Sequence, residues 1–143
     1  MPAEGVVDAL RKVHRSLRPG GLLLDVHPQT QPLPIEVRTG AGVTDLGQLE
    51  YSRGFIDTMS NAEAALASLD RDGTFRNERE EKFRLLHYFA SLAEWQDYMA
   101  VEAPYYLPPD ATMIESIGRE LATAGAELVL RESVRASRFR RVG

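Results

Sequence analysis

The hydrophobic pattern of the chain begins with an amphipathic stretch. Charged residues fall between apolar positions that recur at the spacing of one helical face, namely Val6, Val7, Leu10, Val13 and Leu17. This periodicity predicts a helix over Val6–Leu17 with a single face turned towards a core.

A tight turn and a short strand are predicted directly after this helix. Pro19 cannot continue the helix, and Gly20 and Gly21 can adopt the positive φ that a chain reversal needs. The next residues, Leu22–Leu24, form an unbroken apolar run, which is typical of a strand covered on both faces. The pattern therefore predicts a helix, a Pro-Gly-Gly turn and a buried strand in succession.

Alternating apolar and polar residues predict a β-hairpin over Ile35–Ser52, with a glycine-rich loop in its middle. An alternative interpretation takes Gly40-Ala41-Gly42 as a cofactor-binding loop after a strand. That fingerprint requires a third glycine at position 45 and a helix after it. Position 45 is Asp45, and Gly47 interrupts the residues that follow, so the hairpin is favoured.

The central part of the chain predicts a helix and then a strand. The helix covers Phe55–Asp72, with Ser60 and Glu63 as a capping box and Gly73 at its end. Alternation over Glu78–Ala90 predicts the strand, although Glu78–Leu86 also suits a helix.

Two helices and a closing strand complete the predicted elements. Ser91 and Glu94 form a second capping box, which opens a short helix. The last elements are a helix over Ala111–Ala124, capped by Asp110, and a strand over Glu127–Arg140.

Composition and charge narrow the class of protein. With 143 residues, the chain is large enough for one domain with its own core. A net charge of −4 gives no bulk attraction to nucleic acid or to an anionic membrane. Cysteine is absent, which excludes disulfides and a thiol nucleophile. Because we find neither a signal-peptide core nor an apolar run of membrane-spanning length, we expect a cytoplasmic protein.

The segment from the first helix to the first strand resembles the middle of a class I S-adenosylmethionine-dependent methyltransferase. In that family a helix ends in Leu-x-Pro-Gly-Gly and leads into the fifth strand of the sheet. Here the matching segment is Leu17-Arg18-Pro19-Gly20-Gly21, followed by Leu22–Leu24. The predicted strands Glu78–Ala90 and Glu127–Arg140 match the two antiparallel strands that close the family's sheet. The alternative is an ordinary helix–turn–strand unit of another α/β protein.

The resemblance implies an α/β fold, specifically the carboxyl-terminal half of a Rossmann-like methyltransferase fold. Such a single domain would have a mixed sheet with antiparallel closing strands, helices packed on it, and the hairpin as an insertion. Met1-Pro2 would end the strand before the first helix. The family's glycine-rich loop and ribose-binding acid then have no counterpart in the chain. We therefore expect no tight binding of S-adenosylmethionine by this chain alone, and no bound metal.

Four residues are candidates for a substrate wall if the family role holds. His27 follows the predicted strand, at the end where ligands bind in open sheets, although a histidine beside a proline also suits a hydrogen-bonded loop position. The other candidates, which also suit a packed core, are Trp95, Tyr105 and Tyr106. No residue stands out as catalytic, and His87 is interpreted as a hydrogen-bonded core histidine.

Three functions are compatible with these patterns. The first is a truncated methyltransferase-like protein that supplies substrate-side elements and acts on a small molecule. The second is a non-catalytic binding or assembly module that keeps the fold. The third is a stand-alone α+β domain that binds a small ligand between the hairpin and the Tyr105–Tyr106 loop.

The predicted strand Leu22–Val26 bears on self-association. If it lacks a neighbour on one side, its unpaired backbone groups form an exposed edge, which favours pairing with another chain. We therefore predict a homodimer through this edge, and expect neither nucleic acid nor membrane as a partner. The alternative is a monomer in which the hairpin Ile35–Ser52 folds back to cover the strand.

Overall fold

The computed structural model describes residues 3–143; Met1 and Pro2, where the resemblance places the end of a preceding strand, lie outside the described residues. The described residues form an α/β arrangement of four helices and a five-stranded sheet. The elements are α1 (Ala3–Ser16), β1 (Leu22–Pro28), β2 (Leu33–Thr39), β3 (Gly42–Leu49), α2 (Arg53–Arg71), β4 (Phe75–Phe89), α3 (Leu92–Glu102), a 3₁₀ turn (Ala103–Tyr105), α4 (Ala111–Leu121) and β5 (Glu127–Arg141).

The sheet is antiparallel, so the expectation of a mixed sheet is wrong. The strand order is β1-β5-β2-β3, and β4 also pairs with β5. Both β1 and β2 run antiparallel to β5, and a hairpin turn reverses β3 against β2. The predicted hairpin is present, and the two predicted late strands, β4 and β5, pair with each other in the antiparallel sheet.

The chain divides into two compact units. The first contains the residues up to Gln29 together with Ile56–Phe83 and Val134–Gly143, and the second contains Thr30–Phe55 and Arg84–Ser133. The long strands β4 and β5 therefore contribute residues to each unit.

The core of the first unit joins its helices to the sheet. Phe139 of β5 lies directly opposite Leu23 of β1, so the two side chains share a face. The buried residues of this core are Leu66, Leu69, Phe75 and Phe139, and Val7, Leu10, Leu17 and Leu23 pack against them. The predicted amphipathic helix is confirmed in that Val7 and Leu10 of α1 lie against this core, whereas Val13, which the pattern places on the same face, is exposed.

The Pro-Gly-Gly turn after α1 is confirmed by its backbone geometry. Gly20 has a φ of 75°, in the left-handed region that favours glycine. Gly21 donates its backbone N–H to the carbonyl of Arg18 at 2.8 Å. A Cβ atom at Gly21 would lie only 2.8 Å from that carbonyl oxygen, so the turn also requires glycine for space.

Strand β1 is covered on one face only. It pairs with β5 from Leu22 opposite Arg140 to Pro28 opposite Val134. Leu22, Leu24 and Val26 are 44%, 69% and 63% exposed. The expectation of a strand buried on both faces is therefore wrong, because the core packs against the opposite face alone.

The predicted hairpin is confirmed in the second unit. β2 and β3 pair from Leu33 opposite Leu49 to Thr39 opposite Gly42, across a two-residue turn at positions 40 and 41. A strand follows the glycines instead of a helix, which rules out the cofactor-loop interpretation of this segment. β2 also pairs with β5, with Ile35 opposite Leu130. The hairpin is thus paired with β5, and among residues 3–143 it forms no strand pairing with β1.

Two of the three predicted helix caps are confirmed, and one is wrong. Ser91 accepts a hydrogen bond from the backbone N–H of Glu94 at 3.1 Å, and Asp110 accepts one from Met113 at 2.7 Å. Ser60, in contrast, lies inside α2, so the predicted capping box there is wrong. The helix begins earlier, where Ser52 accepts a hydrogen bond from the N–H of Phe55.

The strands β4 and β5 and the helices α2, α3 and α4 lie close to their predicted bounds, although α4 ends at Leu121, three residues before the predicted Ala124. Within the part of the chain that the structure describes, no helix is long and apolar enough to cross a membrane.

Candidate functional site

An apolar cleft in the second unit contains two of the predicted substrate residues. Helix α3 places Trp95 and Met99 four residues apart, so both side chains lie on one helical face. The segment after α3 adds Tyr106 and Leu107, and α4 adds Ile114. These side chains enclose a volume of about 270 Å³. The cleft thus joins two helices and the connection between them.

Trp95 is the most buried of the predicted site residues. Its side chain is 1% exposed, and its indole Nε1 has no hydrogen-bond partner among the described residues. Buried polar groups are nearly always paired in native proteins, so an unpaired indole N–H in a cleft wall marks a donor that the fold itself does not use. This position is compatible with both interpretations of Trp95, as a packed core residue and as part of a substrate wall.

Tyr106 is held in place by its backbone and by its ring. Its backbone forms an isolated β-bridge with Tyr51, and the two rings stack with centroids 5.2 Å apart. Leu107 donates its N–H to the carbonyl of Glu50 at 2.9 Å on the same segment. Tyr106 therefore forms a fixed wall of the cleft, in which only small movements are expected.

The side chain of Tyr105 lies in a different environment from that of Tyr106. Its side chain is 45% exposed. Its ring contacts that of Phe55 in an edge-to-face arrangement, with the ring centroids 5.5 Å apart. It is not among the residues that line the cleft. The structure therefore brings together Trp95 and Tyr106, and leaves Tyr105 outside their cleft.

A hydrogen-bonded network lies next to Tyr106. The hydroxyl groups of Tyr98 and Tyr106 are 3.3 Å apart. Tyr51 donates its hydroxyl to Oε1 of Glu132 at 2.8 Å, and Nε2 of His87 lies 2.9 Å from the other carboxylate oxygen. A carboxylate accepts only, so the histidine nitrogen is the donor. His87 is thus hydrogen-bonded as expected, although it is only partly buried.

The environment of this network fixes its protonation state. Burial raises the pKa of Tyr51 and of Tyr106 far above the ordinary value for a phenol. Burial also raises the pKa of Glu132, but the hydrogen bonds from His87 and Tyr51 outweigh it and leave that pKa below its ordinary value. At neutral pH the hydroxyl groups of Tyr51 and Tyr106 are therefore protonated, and Glu132 is an ionised acceptor.

Sequence reasoning missed Tyr51, Tyr98 and Glu132. Tyr51 follows the hairpin and Glu132 lies in the closing strand, 81 residues later. No local spacing signals such a pair. The one feature of the sequence that could have indicated these residues is the occurrence of polar side chains in segments that are otherwise predicted to be buried.

His27, the remaining predicted site residue, lies in the first unit. It is 8% exposed and is the sixth residue of β1, so it is a hydrogen-bonded strand residue and not a loop residue. Its Nδ1 lies 2.6 Å from Oδ2 of Asp25, and its Nε2 lies 3.1 Å from Oε1 of Glu63. Only the protonated imidazole can donate from both nitrogens, so the two carboxylates favour the imidazolium.

The pKa of His27 reflects this arrangement. The hydrogen bond to Asp25 raises it most, and Glu63 adds to the increase, while burial and the charge of Arg135 lower it. The net effect is a raised pKa. Arg135 itself lies 3.3 Å from Glu63. His27 therefore forms the centre of an ionic cluster, in which both of its nitrogens are already engaged.

A polar cleft of about 430 Å³ adjoins this cluster in the first unit. Its charged lining residues are Glu63, Asp70, Glu80 and Arg135. Asp70 already accepts a hydrogen bond from the backbone N–H of Asn77. Among residues 3–143, no group of three or more histidine or carboxylate side chains is arranged to hold a metal ion.

Comparison of the chain with protein-family models, with curated proteins and with solved structures finds no match.

Proposed function

We propose that this chain is a methyltransferase-like protein that supplies the substrate side of a methyl-transfer site. The observation that carries the proposal is the pairing of β1. This strand follows an amphipathic helix and a Pro-Gly-Gly turn, and it pairs antiparallel with the closing strand β5. β5 also pairs with β4. The resemblance implies these pairings for the fifth strand and the two closing strands of a class I methyltransferase.

The cleft beside Trp95 and Tyr106 supports a substrate-side role. Methyl transfer depends largely on the alignment of an acceptor with the methyl donor, so a rigid wall that positions the acceptor contributes without a catalytic acid or base. Tyr106 is fixed by its stacked ring and its backbone bridge, as such a wall requires. His27 belongs to the ionic cluster of the first unit and has both nitrogens engaged, so it supports this role less well.

Cofactor binding provides the test of this proposal. S-adenosylmethionine is held in the family by a glycine-rich loop before a helix and by an acid that binds the ribose hydroxyls. In this chain Gly40 lies in the hairpin turn and Gly42 begins β3, so they do not form such a loop. We expect calorimetric titration with S-adenosylmethionine and S-adenosylhomocysteine to give no heat of micromolar binding. Micromolar affinity for either compound would overturn the proposal in this form.

A second candidate function, a non-catalytic assembly module, is favoured by the exposed face of β1. Leu22, Leu24 and Val26 are apolar and exposed, and β1 lies at the end of the strand order. In an antiparallel pair of two copies with a twofold axis beside Leu24, Leu22 of one copy would lie opposite Val26 of the other. The free backbone edge of β1, with apolar side chains exposed beside it, therefore suits a homodimer, for which a test is given in the Discussion.

A further inference from the structure

We propose that the cleft beside Trp95 and Tyr106 binds a small, uncharged aromatic molecule that carries a hydrogen-bond acceptor. This inference rests on the proposed function in one respect, since it names the chemical class of the acceptor substrate at the same wall. Its evidence is the size, charge and hydrogen bonding of the cleft, and none of this evidence depends on a methyl donor.

The volume of the cleft fixes the size of the ligand. It encloses about 270 Å³. An apolar cavity of about 150 Å³ holds one benzene ring. The cleft is therefore larger than a single ring needs, and it suits a fused two-ring molecule or a ring with a short substituent.

The lining of the cleft fixes the charge of the ligand. The described residues that line it include no charged side chain, and Gln96 is the one amide among them. A charged molecule would lose its hydration there without gaining an ionic partner, which disfavours binding. An uncharged ligand loses little hydration and gains contact with apolar side chains.

The walls of the cleft favour a planar ring. Trp95 and Tyr106, both largely buried, form the aromatic part of this wall, and aromatic rings prefer offset or edge contacts with another ring. Pro108 and Pro109 restrict the backbone of the adjoining loop, and Tyr106 is fixed by its stack on Tyr51. Such preformed walls reduce the entropy that binding costs.

The unpaired indole N–H is the reason why we expect the ligand to carry a hydrogen-bond acceptor. Nε1 of Trp95 is buried without a partner, which is unfavourable unless an acceptor reaches it. Because this nitrogen is inaccessible to solvent, an acceptor reaches it only if the wall adjusts. Met99, one helical turn away in the same wall, has a flexible unbranched side chain that repacks readily. A phenol or carbonyl oxygen on the ligand is the group that would accept this hydrogen bond.

Nuclear magnetic resonance of the whole chain gives a direct test, because the sequence contains a single tryptophan. A uniformly ¹⁵N-labelled sample has one indole N–H signal, which reports on Trp95 alone. We expect titration with 2-naphthol to shift this signal in a saturable way. We expect 2-naphthoate, which has the same rings and a negative charge, to bind at least tenfold more weakly, and naphthalene to leave the indole proton nearer its original position.

Two variants make the test specific to this cleft. Ala100 is exposed and lines the cleft, so Ala100→Phe fills the space without removing a core residue. We expect it to weaken 2-naphthol binding at least tenfold. Ala93→Phe, a matched exposed position on the same helix outside the lining residues, should bind as the unmodified chain does. Backbone amide spectra check that both variants are folded.

The outcomes separate this inference from the proposed function. No saturable shift at millimolar 2-naphthol, equal binding of 2-naphthoate, or undiminished binding to a folded Ala100→Phe variant would overturn the inference. A shift of the indole signal with protein concentration in the absence of ligand, which the general broadening caused by a dimer through β1 does not produce, would assign the cleft to a second copy of the chain, and would also overturn the inference. None of these results bears on affinity for S-adenosylmethionine, so a failure here leaves the calorimetric test of the proposed function standing.

Discussion

The hydroxyl of Tyr51 donates a hydrogen bond to the carboxylate of Glu132 at 2.8 Å, which links the end of the hairpin to the closing strand across 81 residues of sequence. The same carboxylate accepts from His87. Glu132 is thus an ionised, largely buried acceptor whose two oxygens each have a donor. The second unit therefore depends on a polar contact as well as on its apolar core.

We expect Tyr51→Phe to destabilise the fold by about 1–3 kcal/mol, because it leaves one oxygen of a buried carboxylate without its donor. Urea unfolding of the variant and the unmodified chain measures this difference. Tyr105→Phe removes the same atom from a side chain that is 45% exposed, and should have little effect. An equal loss of unfolding free energy in both variants would mean that the hydrogen bond of the Tyr51 hydroxyl does not stabilise the fold.

We expect the contribution of His27 to stability to fall as pH rises. Its folded pKa lies above the unfolded value near 6.5, because Asp25 and Glu63 favour the imidazolium. This contribution is fully present below pH 6.5 and is lost as pH rises through the folded pKa. Unfolding free energies between pH 5 and 9 should therefore fall more steeply in the unmodified chain than in His27→Gln.

Asp25→Asn provides the control for that pH dependence. The hydrogen bond to Asp25 is the largest cause of the raised pKa, whereas Arg135 opposes it. The titration of His27, followed by nuclear magnetic resonance, should move to lower pH in this variant. If its midpoint stays where it is in the unmodified chain, the pairing with Asp25 does not control the charge of His27.

We expect Gly20→Val and Gly21→Val each to destabilise the protein by about 1–3 kcal/mol, for different reasons. Gly20 has a positive φ, which valine adopts only with strain. A side chain at Gly21 would collide with the carbonyl of Arg18. Gly40→Val is the control, since a Cβ there meets open space and Gly40 has no positive φ. Thermal unfolding measures all three, and unchanged melting temperatures for both turn variants would contradict the assignment.

We expect light scattering after size exclusion to give twice the 15.9 kDa chain mass at micromolar concentration, if β1 forms the proposed homodimer edge. Leu24→Lys should then give the monomer, because its exposed side chain would meet its own copy across the twofold axis. Val43→Lys changes a similarly exposed apolar residue on β3 and should leave the dimer intact. A monomeric unmodified chain would rule out the homodimer.

Much of the local structure could be predicted because local rules determine it. The spacing of Val7 and Leu10 fixes the face of α1, and the backbone limits of Pro19 and Gly20 fix the turn. The alternation of apolar and polar residues likewise predicts the two strands of the hairpin, although β3 is largely exposed and Leu49 is its one buried residue. In these segments the residues that specify the conformation are neighbours in sequence.

The errors occur where a distant partner decides the outcome. The leucines of β1 look the same in sequence whether one face or two are covered, and only the packing around them leaves Leu24 exposed. Ser60 and Ser52 both precede good helix-forming residues, and the longer helix that starts near Ser52 is the one that forms. The cleft beside Trp95 required the relative placement of two helices, which no local pattern contains.

Strand β5 has a consequence for how the protein matures during synthesis. Its residues up to Ser133 belong to the second unit, and those from Val134 belong to the first. Its partners β1, β2 and β4 all precede it in the chain. On the ribosome these strands emerge before the strand that pairs with them. The sheet therefore stays incomplete in both units until β5 has left the exit tunnel. Nascent chains that pause before Glu127 therefore display unpaired strand edges, the surfaces that chaperones protect.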